Sequence, residues 1–344
     1  MFFRPLSVLI ISLLCFFVPS LSAEVWPGVG HFVTEERVLM GTQVIIKATG
    51  EDKDQLDQAV SAAFDEVARL EKLMSNFIPE SELSRINQNA GKQPVSVSRE
   101  LYEVIEKSIV FSGLTQGAFD ISFASVGKLW NFRQGIVPTA NEIKAQLPLV
   151  NYKKIRLDDK NSSVFLPETG MEIGLGGIGK GYAMDRAMFV LNTLGIKNAM
   201  VMAGGDTLIR GKKGSDSWQV GLRDPNTLAG ILAVLPLEDQ AISTSGDYER
   251  FFIKDGVRYH HILDTKTGMP AGLCRSVSIL APEATTSDAL STSVFVLGPA
   301  AGLALIETLE GVEGIIIDLQ GKVHLSSGLV ALSLDPTAKA ESAE

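Results

Sequence analysis

Five of the eight residues in Gly174-Leu-Gly-Gly-Ile-Gly-Lys-Gly181 are glycine, and this segment constrains the chain more than any other. Glycine at this density lets the backbone turn sharply and come close to a neighbour. The segment follows a short apolar stretch, 171–173, that reads as a strand. It opens an apolar run, 178–194, that reads as a helix stopped by Gly195. A turn of that kind aims backbone N–H groups outward at the positive end of a helix, which suits a phosphate. The alternative is a tight turn that holds no ligand. Two nucleotide-binding patterns match formally. Gly174, Gly176 and Gly179 spell G-x-G-x-x-G, but an acidic residue about 20 positions further on is wanted, and the chain is apolar near Met200. Gly174, Gly179 and Lys180 spell G-x4-G-K, but the next residue should be Ser or Thr, and Gly181 stands there. Lys180 lies at the helix start, where the macrodipole disfavours a cation, which argues for an anion close by.

Around this segment the apolar pattern alternates between helix and strand. Residues 54–77 form a strong amphipathic helix, with Leu56, Val60, Phe64, Val67, Leu70 and Met74 three or four apart. Ser98 caps a second helix that shows Leu101, Val104, Ile105 and Ile109 on one face. Two more helices are expected over 285–295 and 300–309. Strands are expected at 42–48, 154–157, 163–166, 199–203, 218–222 and 231–235, with hairpins at 251–263 about Asp255-Gly256 and at 315–325 about Gln320-Gly321. There is no steady βα repeat and no Pro-, Gly- or Ser-rich linker. The expectation is an α+β (mixed α/β) architecture of mixed sheets packed by helices, in a single domain over 24–335, with a small polar tail at 336–344.

Residues 1–23 have a different character. Arg4, an apolar run over 6–18 and the small residues Ser22-Ala23 form the layout of a cleavable secretory signal peptide. The run is shorter than the roughly 20 residues of a membrane span. Export to a periplasmic location is therefore expected. Cleavage would leave Cys274 as the only cysteine, so no internal disulfide can form. With 31 basic against 40 acidic residues and no basic run, nucleic acid is excluded as a partner.

Three further groups could carry chemistry. Asp288 and Thr292 are four apart on a helix and share a face, a carboxylate above a hydroxyl, which suits a hard cation that takes oxygen ligands. Hydroxyl capping of the helix start is the other reading. His260 and His261 are adjacent on a strand and face opposite ways, so one could act as a base or orient a phosphate, or one could be core and one surface. In Gly117-Ala-Phe-Asp120 an aromatic ring stands beside a carboxylate, which could hold a ring and its polar edge.

Taken in order, these segments resemble the ApbE family of FAD:protein FMN transferases. They run Met40-Gly41-Thr42, Leu73-Met-Ser-Asn-Phe77, Ser81-Glu-Leu-Ser-Arg-Ile-Asn87, Gly117-Ala-Phe-Asp120, Leu175-Gly-Gly-Ile-Gly-Lys-Gly-Tyr-Ala183, Ala203-Gly-Gly-Asp206, Ile242-Ser-Thr-Ser-Gly246, His261-Ile-Leu-Asp264 with Thr267-Gly268, and Thr286-Ser-Asp-Ala-Leu-Ser-Thr292. The resemblance implies an FAD cleft between two lobes. It also implies Mg2+-dependent transfer of FMN from FAD to a Thr or Ser hydroxyl of a target flavoprotein, with AMP leaving. On this resemblance Asp288, Thr292 and the backbone oxygen of Gly177 hold Mg2+. Met40, Phe77, Ala118, Phe119, Asp120, Gly174, Lys180 and Ile262 fall where the family touches FAD, and His261 activates the acceptor hydroxyl together with the Asp288 centre. The implied targets are exported or membrane-bound subunits of Rnf- or Nqr-type redox complexes, or flavoproteins of nitrous-oxide respiration. The sequence departs from the family in having Gly174 where Asp is usual, Phe77 where Tyr is frequent, and Thr265 where Pro is usual. An FAD pyrophosphatase and a non-catalytic flavin carrier or assembly factor are the alternatives.

Overall fold

A computed structural model describes residues 24–26, 30–227 and 230–330. The expected signal peptide and polar tail lie outside the described residues. The strands are β1 (Glu24–Trp26), β2 (Gly30–Leu39), β3 (Thr42–Gly50), β4 (Val95–Ser96), β5 (Arg156–Asp158), β6 (Ser163–Phe165), β7 (Asn198–Ala203), β8 (Asp206–Arg210), β9 (Trp218–Arg223), β10 (Ile231–Leu237), β11 (Ala241–Gly246), β12 (Phe251–Lys254), β13 (Val257–His260), β14 (Cys274–Ala281), β15 (Glu313–Asp318) and β16 (Val323–Leu325). The helices are α1 (Lys53–Met74), α2 (Glu82–Gln88), α3 (Arg99–Leu114), α4 (Ala124–Gly127), α5 (Ala140–Gln146), α6 (Gly179–Thr193), α7 (Ala284–Ile306) and α8 (Ser327–Val330).

A nine-stranded sheet in the order β1-β2-β3-β7-β8-β11-β14-β15-β16 forms the frame. The α+β architecture expected from the sequence is the one observed, and its pairing is sharper than the mixed sheets anticipated. Every ladder is antiparallel, from β2 on β3 to β15 on β16. Antiparallel neighbours arise when a connection leaves and re-enters the sheet at the same end, and the long helical excursion between β3 and β7 does this. Helices α1, α6 and α7 stack on one face. Their buried side chains, among them Leu56, Phe64, Leu70, Met184, Ala187 and Ala289, join Val44, Ile46 and Val201 of the sheet in the main core. Each large apolar side chain buried in this way contributes about 1.5–3 kcal/mol.

Two sequence expectations need correction. Residues 171–173 are extended but pair with no strand. Asn87 satisfies both backbone groups of Ile173 at 2.9 Å, and Ser125 Oγ accepts from Glu172 N at 2.9 Å, so no ladder is needed. His260 and His261 do not share a strand, because β13 ends at His260. The two helices expected over 285–295 and 300–309 are both present within α7, separated by a non-helical break at Gly298 (φ 80°, ψ 175°) before Pro299. By length and composition α7 could cross a membrane, yet half of its most apolar stretch is buried within the protein. The hairpin β12–β13 is fastened by an aromatic stack of Trp130, Phe132, Phe252 and Tyr259.

Candidate active site

The glycine-rich segment reaches the centre of the molecule because of how α6 and α7 cross. A Cβ on Gly181 would lie 2.2 Å from the Ala284 carbonyl oxygen and 2.8 Å from Asp288 Cβ, so only glycine allows this approach. This accounts for Gly181 where the nucleotide-loop pattern wants Ser or Thr. The crossing is locked by two carboxylates. Asp288 Oδ2 on α7 accepts from Gly181 N of α6 at 2.9 Å. In return, Asp185 on α6 accepts from Ala284 N (2.9 Å), Thr285 N (2.8 Å) and Thr285 Oγ1 (2.5 Å) of α7. Each helix thus caps the start of the other.

The crossing buries a cation between two acids. Lys180 Nζ donates to Asp206 Oδ2 at 2.5 Å and to Asp288 Oδ1 at 2.9 Å. Both carboxylate side chains are 4% exposed, against 26% for the lysine. Burial alone would lower the lysine pKa, but the charges of Asp206 and Asp288 and their hydrogen bonds outweigh it, so Lys180 stays firmly protonated. Burial pushes Asp206 up to about 6, opposed by the charge of Lys180. The expected anion beside Lys180 is therefore present in the fold as a pair of carboxylates. Asp206 carries no sequence signal of its own beyond the segment 203–206. The clue available was Lys180, a cation at a helix start that needs a negative partner.

Oxygen donors gather next to this pair. A Cβ on Gly177 would lie 3.3 Å from Thr292 Oγ1 and 3.2 Å from the Phe119 ring, so these three residues are in contact range. Strand β11 contributes hydroxyls along α7: Ser243 to Ser287 at 2.8 Å, Ser245 to Ser291 at 2.9 Å and Ser245 to Thr292 at 3.4 Å. Asp288, Thr292 and the Gly177 backbone form a hard, all-oxygen set, and Asp288, Asp206 and Lys180 together carry a net formal charge of −1. That chemistry fits Mg2+, which needs one or two protein carboxylates beside a substrate phosphate. Among the described residues no group of three or more His, Cys, Asp or Glu is placed to hold a metal ion, so a cation here would rest on one carboxylate with a hydroxyl and a backbone carbonyl.

Other expected site residues surround the start of α6 at varying range. Met40 and Gly41 form the two-residue turn between β2 and β3, both with positive φ (53° and 69°). That turn sets the Met40 methyl 3.8 Å from where a Gly179 Cβ would be. Ala118 and Phe119 are buried. Asp120 is buried as well, with both oxygens engaged: Ser122 N (2.8 Å) and Oγ (2.5 Å) on one, Tyr152 N (2.8 Å) on the other. Burial raises its pKa against those hydrogen bonds. A cavity of about 410 Å³ opens beside Asp120, lined also by Gln116, Tyr152, Lys153, Thr265 and Lys266; it does not reach Lys180. Thr265, in place of the usual Pro, donates to the Gly117 carbonyl at 2.6 Å and so ties the histidine loop to the 117–120 turn. Phe77 stands apart from the others at 88% exposure.

A Cβ on Gly174 would point at Ala124 Cβ, 3.2 Å away, with Phe123 and Asn76 behind it. A side chain there would displace Ala124. Glu172 does not replace the missing acid, because it pairs with Lys128 at 2.9 Å.

His260 and His261 each have a buried Nδ1 with no hydrogen-bond partner and differ in the rest of the ring. His260 is buried, its Nε2 lies 2.9 Å from the Ala271 carbonyl, and its ring meets Phe295 edge-on. His261 Nδ1 is buried with no hydrogen-bond partner. Burial, helped by the charges of Arg250, His260 and Lys180, lowers its pKa to about 4. Ile262, next to it, is buried against the core formed by Leu290 and Phe295 of α7.

The antiparallel α+β frame is shared with solved ApbE-type flavin transferases. The ApbE protein of Thermotoga maritima superposes with a TM-score of 0.81 at 34% identity, over 87% of this chain and 98% of that one. The flavin transferase ApbE of Vibrio cholerae gives 0.77 at 28% identity, over 87% and 98%. The chain belongs to the ApbE family, whose model matches residues 40–316. An FAD:protein FMN transferase of Treponema pallidum is 36% identical over 79% of this chain and 81% of its own length, and one of Klebsiella pneumoniae is 33% identical over 84% and 90%.

Proposed function

We propose that this chain is a Mg2+-dependent FAD:protein FMN transferase that acts after export to the periplasm. The acceptor is a Thr or Ser hydroxyl of an exported or membrane-bound flavoprotein, such as a subunit of an Rnf- or Nqr-type complex or of nitrous-oxide respiration. The observation that carries the reading is the Lys180–Asp206–Asp288 centre at the start of α6.

The reaction is phosphoryl transfer, so the protein's part is positioning and charge neutralisation. The N-terminus of α6 and the Lys180 ammonium offer positive charge to the FAD pyrophosphate. Asp288, Thr292 and the Gly177 carbonyl would hold Mg2+, which supplies further neutralisation of the phosphate oxygens. The acceptor hydroxyl oxygen forms a bond to the FMN phosphorus, the P–O bond to AMP breaks, and His261 takes the hydroxyl proton. Burial keeps His261 neutral at pH 7, so its ring can receive a proton only as negative charge develops on the phosphate beside it. His261→Asn should lower transfer by about 10²-fold or more while FAD binding is retained; transfer unchanged in that variant would remove His261 from this role.

The deciding experiment incubates the protein with FAD, Mg2+ and a candidate acceptor, then looks for flavin fluorescence on the denatured acceptor band. Free FMN with no labelled protein would favour the pyrophosphatase, and intact FAD after hours would favour a carrier. Asp288→Ala should lower transfer by about 10²-fold or more; circular dichroism should show the folded spectrum at about 25 °C with a lowered melting temperature, because Gly181 N loses its acceptor.

A further inference from the structure

We infer that Lys180 and a divalent cation compete for the same oxygen of Asp288, and that Asp206 sets the outcome by holding the displaced ammonium. This rests on the magnesium reading above. Asp206 is then a positioning residue that tunes metal affinity without being a metal ligand.

The two acids are built alike. Each gives one oxygen to a backbone N–H: Asp206 Oδ1 accepts from Thr244 N at 3.0 Å and Asp288 Oδ2 from Gly181 N at 2.9 Å. Each gives its other oxygen to Lys180. Two almost fully buried carboxylates sharing a site repel each other, so an ammonium between them is required. Their neighbours differ. Asp288 lies on α7 one turn from Thr292 and next to the Gly177 backbone, among the oxygens that suit a hard cation. Asp206 lies on β8, anchored by β11. A cation arriving at Asp288 Oδ1 meets Lys180 there. The lysine need not leave the site, because it already bonds Asp206 at 2.5 Å. With a divalent ion added, the formal charge of the centre changes from −1 to +1, which suits an anionic pyrophosphate.

Two substitutions should move Mg2+ affinity in opposite directions. In Asp206→Asn the ammonium has only Asp288 to neutralise, and Mg2+ alone should bind more weakly, on the order of tenfold. In Lys180→Met the competitor is gone and Mg2+ should bind more tightly, again on the order of tenfold, with a larger Mg2+-induced rise in melting temperature. The double variant should return towards the unaltered affinity. The probe is MgCl2 titrated calorimetrically into EDTA-stripped protein without FAD, with melting curves as a second readout. Asp206→Asn keeps the size and shape of the side chain, so the test survives if Lys180→Met fails to fold. If the unaltered protein binds Mg2+ and both variants shift affinity the same way, or Asp206→Asn leaves it unchanged, the competition is wrong and the magnesium reading stands. If the unaltered protein binds no Mg2+, both fall.

Discussion

Helix α1 and helix α6 begin in opposite ways. Asp52 caps α1 from the residue just before it, accepting from Asp54 N at 2.9 Å and Gln55 N at 3.1 Å. Helix α6 has Ile178 at the same position and no side-chain cap of its own. Its cap is Asp288, 107 residues away, and it repays α7 through Asp185. The first arrangement serves the helix alone. In the second, the acid that finishes the helix also holds Lys180 and stands among the cation-ready oxygens. The proposed centre and the helix packing are therefore one structure, and damage to one should appear in the other.

Breaking the crossing should have the largest effect. Gly181→Ala forces a Cβ against the Ala284 carbonyl, and we expect a loss of about 3 kcal/mol in urea unfolding together with loss of flavin transfer. Asp185→Ala leaves two backbone donors of α7 without their acceptor. It should cost about 2 kcal/mol and also weaken Mg2+ binding, although Asp185 is not among the proposed ligands. Asp52→Ala should cost about 1 kcal/mol and leave transfer unchanged. If Asp52→Ala reduced transfer as much as Asp185→Ala, the distinction between the two kinds of cap would collapse.

The same contrast explains what could be read from the sequence. Helices α1 and α3 were legible because their apolar stripes are local, and Ser98 marked the start of α3. The start of α6 was legible from its glycines, and Asp288 with Thr292 from their helical spacing. The partner of Lys180 was not, because Asp206 approaches from a strand 26 residues on. Strands β11 and β14 were missed for a related reason. Ala241–Gly246 is mostly small and hydroxylated, and its alternation is hidden because Ser243 and Ser245 face α7 and bond its serines. Cys274–Ala281 is buried on both faces, so it lacks the one-sided pattern that marks a half-exposed strand. Strand 171–173 was a false positive because its backbone groups are taken by Asn87 and Ser125, which lie far away in sequence.

The exchanged caps also impose an order in time. A chain delivered from its N-terminus presents Asp185 with nothing to cap until Ala284 arrives, 99 residues later. Lys180 and Asp206 are in place well before Asp288 can join them. A product cut short before residue 284 would carry most of the sheet and the whole glycine-rich segment, yet the acid that completes the centre would be missing. If Asp288 acts as proposed, competence comes with α7, and a copy that stops short of it would lack the centre.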